Sequence, residues 1–510
     1  MIDSMLRSAY GDVADILTNK RIASNLVEYT PYNSDCASDL LYNAIVKNGT
    51  IVVHADIDTD GFGSAYVFNK MIKCINPNVN IVTMANKAKE HGISKEFIEF
   101  VNNARTSVDA IVILDSSTNN VQFIKSAMCN VVVVDHHEVV IDAEELQGNT
   151  AFGRYCVVTN MYGENFNEKL SGCTVLYYFI REMCRLKNIQ VSFDNLGVEQ
   201  WVAITLISDV IALATEMNQY FIEKLYNADS VETGLLAMMN SLGVAKVDKN
   251  LIAYKIAPLI NSAIRGGGAL TALDIVMNNQ HNIVELKKYK EYQDNLIKYA
   301  SNLIVAEQFD GLVTMDITNI GIPDNIVKNY CGVIAASISK KYNKSAYVYT
   351  VKDDIYTGSI RGISSTEDYR QKCEDAGFKA MGHKAAFGLV IDKDSISKLA
   401  EIMGIFKCQS ERFISIGQQN GGLLHFESFR HLKQDGNLMF LSMANSRLSS
   451  NETVNVHMDI EDTEHESKGK IHKYDICGSE AISFDELKPG GINIYPEFSK
   501  YGVTLYTSNL

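Results

Sequence analysis

Three short apolar runs recur in the first third of the chain: Thr50-IVVHAD, Asp109-AIVILD and Asn130-VVVVD. Each ends in an aspartate. Continuous runs of Val and Ile read as parallel strands buried on both faces. Helical stretches, such as Gly63-SAYVFNKMIKCI and Ser94-KEFIEFVNNA, lie between them. That alternation predicts a doubly wound α/β domain with a parallel sheet. In such sheets the ligand crevice lies outside the carboxyl ends of the strands, where all three acids fall.

Past this region the pattern turns helical, from about Ser171 to Asn279. In the following stretch Leu286, Tyr289, Gln293, Leu296, Ala300 and Leu303 form a helical stripe with charges opposite, which predicts a long connecting helix. Strands and helices alternate again from Phe309 to about Leu399, predicting a second, smaller α/β domain. Short strand candidates at Asn455-VHMDI, Asn493-IYPEF and Val503-TLYT predict a small β-rich module at the end. The acidic stretch Asp459-IEDTEHESKGK is expected to be a mobile loop in it. The expected divisions are 1–280, 281–308, 309–400 and 401–510.

Composition narrows the classes. The chain has 510 residues, 46% hydrophobic and 21% charged, with a net charge of -14. These are globular values, and the acidic balance argues against broad coating of nucleic acid or a membrane surface. The 10 cysteines are scattered without a CxxC pair, so zinc knuckles and thioredoxin-like sites have little support. No signal peptide opens the sequence, and no apolar run reaches the ~18 residues of a membrane helix. The expectation is a cytoplasmic protein with free thiols, in a bacterial or phage-infected cell.

The strand ends carry the candidate chemistry. The first leaves in His54-ADIDTDG, placing Asp56, Asp58 and Asp60 at alternating positions before a turn at Gly61. An EF-hand would need a glutamate at the twelfth loop position, and Val67 stands there. Any one of these aspartates could simply cap the next helix; three together point to a cation. The second strand ends at Asp115 and the third at Asp135-His136-His137, while Asp209 interrupts the apolar LISDVIALA. Oxygen ligands with one imidazole suit Mn²⁺ or Mg²⁺ better than structural zinc. Two such ions, roughly 3.5–4 Å apart, serve hydrolysis of phosphoesters. Asp56, Asp58, Asp115, His136 and Asp209 nearly fill their ligand needs, and His137 is the candidate for holding a phosphate oxygen.

In order and spacing HADIDTDG, ILDSS, VVVVDHHE and LISDV resemble the DHH phosphoesterase superfamily. The resemblance implies that Asp56, Asp58, Asp115, His136 and Asp209 bind metal, two divalent cations with Mn²⁺ preferred and Mg²⁺ accepted. It implies that Asp135, His137 and Asp60 assist catalysis, with His54 near the substrate. Lys379-AMGHKAAFG is similar to the GGHxxAxG signature of the DHH-associated (DHHA1) substrate-binding domain, keeping Gly382, His383, Ala386 and Gly388 but with Met381 at the first glycine. Thr357-GSIRG is similar to another segment of that domain, which would make Ser359 and Arg361 substrate contacts. Ile256-APLINSAIRGGG resembles the PRINAAGR stretch of the RecJ-like single-strand exonuclease branch, keeping Asn261 and Arg265. It departs at Leu259 and Ile264.

These resemblances imply a two-metal exonuclease degrading single-stranded DNA from the 5′ end, in preference to RNA, with single-strand-binding or repair proteins as partners and no membrane. Arg265, Arg361, Lys379, Lys384 and His383 would line a groove between the two α/β domains. The final module would be an oligonucleotide-binding barrel by analogy. The alternatives are a phosphodiesterase for short oligonucleotides or cyclic dinucleotides, a scaffold that keeps the fold without activity, and a pyrophosphatase.

Overall fold

The structure is a computed structural model. It describes residues 2–18, 21–86, 91–228, 230–278, 283–302, 307–309, 311–363, 367–404 and short segments between 413 and 507. Packing divides the chain into two compact units. One comprises 1–264, 269–286 and 415–507; the other comprises 265–268 and 287–414.

The first unit is built on a six-stranded sheet of β1 (Thr50–Ala55), β2 (Asn80–Ala85), β3 (Ala110–Leu114), β4 (Asn130–Asp135), β5 (Gln147–Asn149) and β6 (Arg154–Thr159). The order is β2-β1-β3-β4-β6-β5, parallel throughout except for β5. The three acid-ended runs are β1, β3 and β4, adjacent at the sheet centre. Every residue of β3 is buried, which is why its sequence lacks alternation. Val52, Ile111, Ile113, Val131 and Val133 pack on one face beneath Ile98, Val101, Val121 and Ile124. On the other face lie helices Ser34–Val46, Thr59–Ile75 and Gly172–Leu186. The domain is therefore doubly wound, as expected.

The helical region follows, and helix Val198–Ser208 within it is buried almost throughout. Further on, Lys249 to Arg265 runs as one helical path interrupted by a π turn at Ile252–Ile256. Helix Ile283–Asn302 occupies the place expected of the connecting helix. Leu286, Gln293, Leu296 and Ala300 are buried, while Leu303 lies outside the described residues.

The second unit has its own six-stranded sheet: β7 (Glu307–Gln308), β8 (Leu312–Asp316), β9 (Ser345–Lys352), β10 (Ile355–Arg361), β11 (Lys379–His383) and β12 (Ala386–Asp392). The order is β11-β12-β10-β9-β8-β7, with β8 and β9 parallel and the other pairs antiparallel. The sequence segments TGSIRG and AMGHKAAFG thus fall on neighbouring strands, with Ser359 opposite Gly388 and Arg361 opposite Ala386.

The C-terminal part groups with the first unit and forms an eight-stranded sheet. Strands Thr453–Ile460, Gly490–Ser499 and Gly502–Thr507 contain the three expected strand candidates. The acidic stretch expected as a loop is partly strand. Its ends enter Thr453–Ile460 and His465–Lys468, and the latter pairs with Ile471–Asp475. Ladder bonds come from the backbone, so polar side chains do not prevent them. No helix among the described residues is long and apolar enough to cross a membrane.

Candidate metal centre

Strand register sets the height of the acids. Ala55 pairs with Leu114, and Leu114 with Val134. The next amides continue the ladder: Asp56 N–H donates to Leu114 O (3.1 Å) and Asp115 N–H to Val134 O (2.8 Å). Asp56, Asp115 and Asp135 therefore leave three adjacent strands at one level. After β3 the chain bends sharply, with Asp115 at φ 64° and Ser117 at φ 79°, a conformation aspartate tolerates better than most residues. Asp58 caps helix Thr59–Ile75, accepting from Gly61 N–H at 2.9 Å. Gly61 is required there, because a Cβ would come within 2.4 Å of the Asp56 carbonyl oxygen.

Asp60, one turn on, accepts from the amides of Gly172 (2.7 Å) and Cys173 (3.1 Å), at the start of helix Gly172–Leu186. A Cβ on Gly172 would lie 2.4 Å from Asp115 Oδ1, so that helix start also packs on the second acid. Asp209 ends helix Val198–Ser208. His136 Nδ1–H donates to Leu170 O (3.0 Å). Its Nε2 then faces Asp115 Oδ1 at 3.3 Å, Asp209 Oδ2 at 3.6 Å and Asp60 Oδ2 at 3.9 Å. In the neutral ring that nitrogen carries a lone pair, so the backbone carbonyl has fixed the tautomer of an imidazole ligand.

Charge is crowded here. Burial, then the charge of Asp58, pushes the Asp60 carboxyl up to about 7 against the pull of its two amides. Burial and the surrounding carboxylates raise Asp115 and Asp209 well above the carboxylate range. Asp135 goes the other way. Burial alone would raise it, but His137 Nδ1–H at 2.7 Å and the Thr118 amide at 3.0 Å hold it below the usual range. Burial would lower His137, yet Asp135 overrides it and pushes the imidazole up to about 10, so the ring is cationic at neutral pH.

The residues fit divalent cations. Asp115 Oδ1 and Asp209 Oδ2 are buried without a hydrogen bond, although other carboxylates surround them. Such charge is costly unless a cation shares it. The ligand atoms of Asp56, Asp58 and Asp115 lie within 4.8 Å of one another. The same holds for Asp60, His136 and Asp209, and for Asp115, His136 and His137. Asp115 is common to two of these groups. A set of carboxylates with an imidazole suits Mn²⁺ or Mg²⁺.

The other expected residues fall elsewhere. Asn261 lies beside the cluster, its Oδ1 accepting from Thr59 Oγ1 at 3.1 Å. His54 is buried; its Nε2–H donates to Asn86 Oδ1 (3.2 Å), and Nδ1 has no partner. Burial lowers its pKa. Arg265, Ser359, Arg361 and Gly382 belong to the second unit. There Arg361 Nη1 donates to Ser359 Oγ (3.0 Å) and Ile360 O (2.8 Å), with no carboxylate on it among the described residues. Arg265 Nη1 donates to Gln293 Oε1 at 3.1 Å. Gly382 has φ 133° on β11; the His383 side chain lies outside the described residues. Sequence reasoning missed His91 and Gly92, which both bond Asp56. Their only signal was a His-Gly pair beyond the end of β2.

Residues 50–207 match the model of the DHH family, N-terminal domain. Comparison with curated proteins gives no match. Among solved structures, RecJ of Thermus thermophilus in complex with Mn²⁺ is similar with a TM-score of 0.73 and 16% identity, over 97% of this chain and 74% of that one. The same protein with Mg²⁺ gives 0.66 and 15%, over 97% and 73%. An exonuclease RecJ bound to manganese gives 0.57 and 17%, over 75% and 96%. Residues 50–207 are thus similar to the N-terminal domain of the DHH family, and the fold of the chain is RecJ-like.

Proposed function

We propose that the protein is a divalent-metal-dependent phosphodiesterase, and specifically an exonuclease that shortens single-stranded DNA from its 5′ end. The observation that carries the chemistry is the cluster in which Asp60, Asp115 and Asp209 face His136 Nε2 and Asp56 and Asp58 join Asp115, with Asp115 Oδ1 and Asp209 Oδ2 lacking a hydrogen bond. Two cations held there would lower the pKa of an attacking water and share the charge that builds on phosphorus. His137, kept cationic by Asp135, would donate to a non-bridging phosphate oxygen. Asp60 and Asn261 brace the start of helix Thr59–Ile75 around the ligands.

Preference for a nucleic-acid strand rests on the second unit. Among the described residues, Arg361 donates to Ser359 Oγ and the Ile360 carbonyl and meets no carboxylate, so its charge is left for an anion such as a strand phosphate. The TM-score of 0.73 to a RecJ supports the same reading. The test is incubation with Mn²⁺ and strands labelled at either end, with Asp135→Ala/His136→Ala as control. Stepwise loss of single-stranded DNA from the 5′ end, absent in the control, is expected. Cleavage of dinucleotides alone would replace this reading with one of short substrates. Cleavage of nothing would leave a scaffold.

A further inference from the structure

Asp56, like Asp60 and Asp135, has both carboxylate oxygens held. The Gly92 amide donates to Oδ1 at 3.0 Å and His91 Nδ1–H donates to Oδ2 at 2.6 Å. Two consecutive residues thus clasp one acid. The clasp is itself tied down on two sides. Asn86 Nδ2 donates to the Gly92 carbonyl at 2.9 Å, and Asn86 Oδ1 accepts from His54 on β1. The amide of Ile93 donates to Ser117 Oγ (2.9 Å), in the bend that follows Asp115. Gly92 sits at φ 77°, with Ser117 Oγ 3.1 Å from where its Cβ would be, so a larger residue there would disturb both conformation and contact.

His91 itself stands outside the groups of mutually close ligand atoms, all of which exclude it. Its ring is 59% exposed, whereas Asp56 is 1% exposed. The pair repeats the geometry of Asp135 and His137 at 2.7 Å, but His137 joins a ligand group and His91 does not. An ionised carboxylate has about four lone-pair positions. Asp56 can therefore accept both bonds and still present an oxygen toward Asp58 and Asp115.

We propose that His91, together with the Gly92 amide, is a positioning clamp that holds Asp56 in its ligating orientation and so sets the affinity for the cation shared by Asp56, Asp58 and Asp115. This rests on the metal-centre reading above. Outer hydrogen-bond partners of ligands typically change metal affinity by roughly 10–100-fold.

The test is Mn²⁺ binding to the full chain, followed by electron paramagnetic resonance of free Mn²⁺. His91→Ala, His91→Asn and Asp56→Asn are compared, with melting of each metal-free protein as the check on folding. Expected is a loss of roughly 10–100-fold in affinity for one of two Mn²⁺ equivalents in His91→Ala, at unchanged metal-free melting. His91→Asn, which keeps an N–H donor at the δ position, is expected to recover most of it. Wild-type Mn²⁺ binding by His91→Ala while Asp56→Asn loses one equivalent would overturn the clamp alone. Equal weakening in His91→Ala and His91→Asn would also overturn it, because the donor would not be the cause. Two full equivalents in Asp56→Asn would overturn the metal centre itself.

Discussion

At the carboxyl ends of β1, β3 and β4, the first unit brings Asp60, Asp115 and Asp209 within 4 Å of one imidazole Nε2, while ladder bonds fix the height of Asp56 and Asp115. On β10 of the second unit, Arg361 has the opposite condition. Its N–H groups are met by a hydroxyl and a carbonyl, and no carboxylate among the described residues neutralises it. One region gathers acids whose crowded charge protons or cations relieve; the other holds an arginine whose charge invites an anion. Each unit is read through its own charge: the first as acids suited to cations, the second as an arginine suited to an anion.

The comparison breaks most sharply at Asp115. Because it belongs to two ligand groups, Asp115→Ala should disturb both cations and lower phosphodiester hydrolysis by more than about 100-fold, past the range of an outer partner. Steady-state hydrolysis of an activated diester checks this, and near-normal turnover would remove Asp115 from the centre.

Next comes stability. Asp60, Asp115 and Asp209 have folded pKa values raised above the ordinary carboxylate value, Asp60 from 3.8 to about 7. Over that window the folded protein without metal binds more protons than the unfolded chain, so its stability falls as pH rises. The Asp135–His137 pair instead stabilises the fold across neutral pH, with opposite pH dependences in its two halves. The His137 share is fully present below 6.5 and is lost as pH climbs through about 10; the Asp135 share is present above 3.8 and is lost on acidification. Chelated protein should therefore melt lower at pH 8 than at pH 5, and Mn²⁺ at 100 times its Kd should restore about 2.7 kcal/mol. A higher melting point for the chelated protein at pH 8 than at pH 5 would contradict the charge crowding.

Arg361→Ala tests the other half. Loss of a charged hydrogen bond to phosphate should weaken binding of single strands by about 1.5–3 kcal/mol. The salt slope should drop by about 0.7 for one contact, with Mn²⁺ binding untouched. Fluorescence anisotropy at several salt concentrations reads both. The smallest effect is expected at Lys290, whose ion pair with Asp294 on helix Ile283–Asn302 is on the surface. Lys290→Ala should cost no more than about 0.5 kcal/mol by denaturant unfolding.

The sequence announced the metal centre because strands buried on both faces are written as plain apolar runs, and β1, β3 and β4 each close theirs with an acid. β6 has the same apolar character in Tyr155-CVVT but ends without an acid, and it escaped notice. β2 also escaped, since as an edge strand it is only partly buried and carries Thr83 within it. Asp58 shows that capping a helix and lying in a ligand group are compatible in one residue. The π turn at Ile252–Ile256 leaves no trace in residue spacing. The His91 bond to Asp56 joins residues far apart in sequence, and no periodicity predicts it.

The register that aligns Ala55, Leu114 and Val134 also has a kinetic meaning. A centre drawing on residues from Asp56 to Asp209 is assembled only once the β1–β3 and β3–β4 pairings and the helices between them are in place. Parallel pairings are slow to form, because loop closure precedes any return from contact. Cations held there would arrive after the folding barrier has been crossed. They would act as a latch on the finished unit, lengthening its lifetime by slowing unfolding while leaving the speed of refolding unchanged.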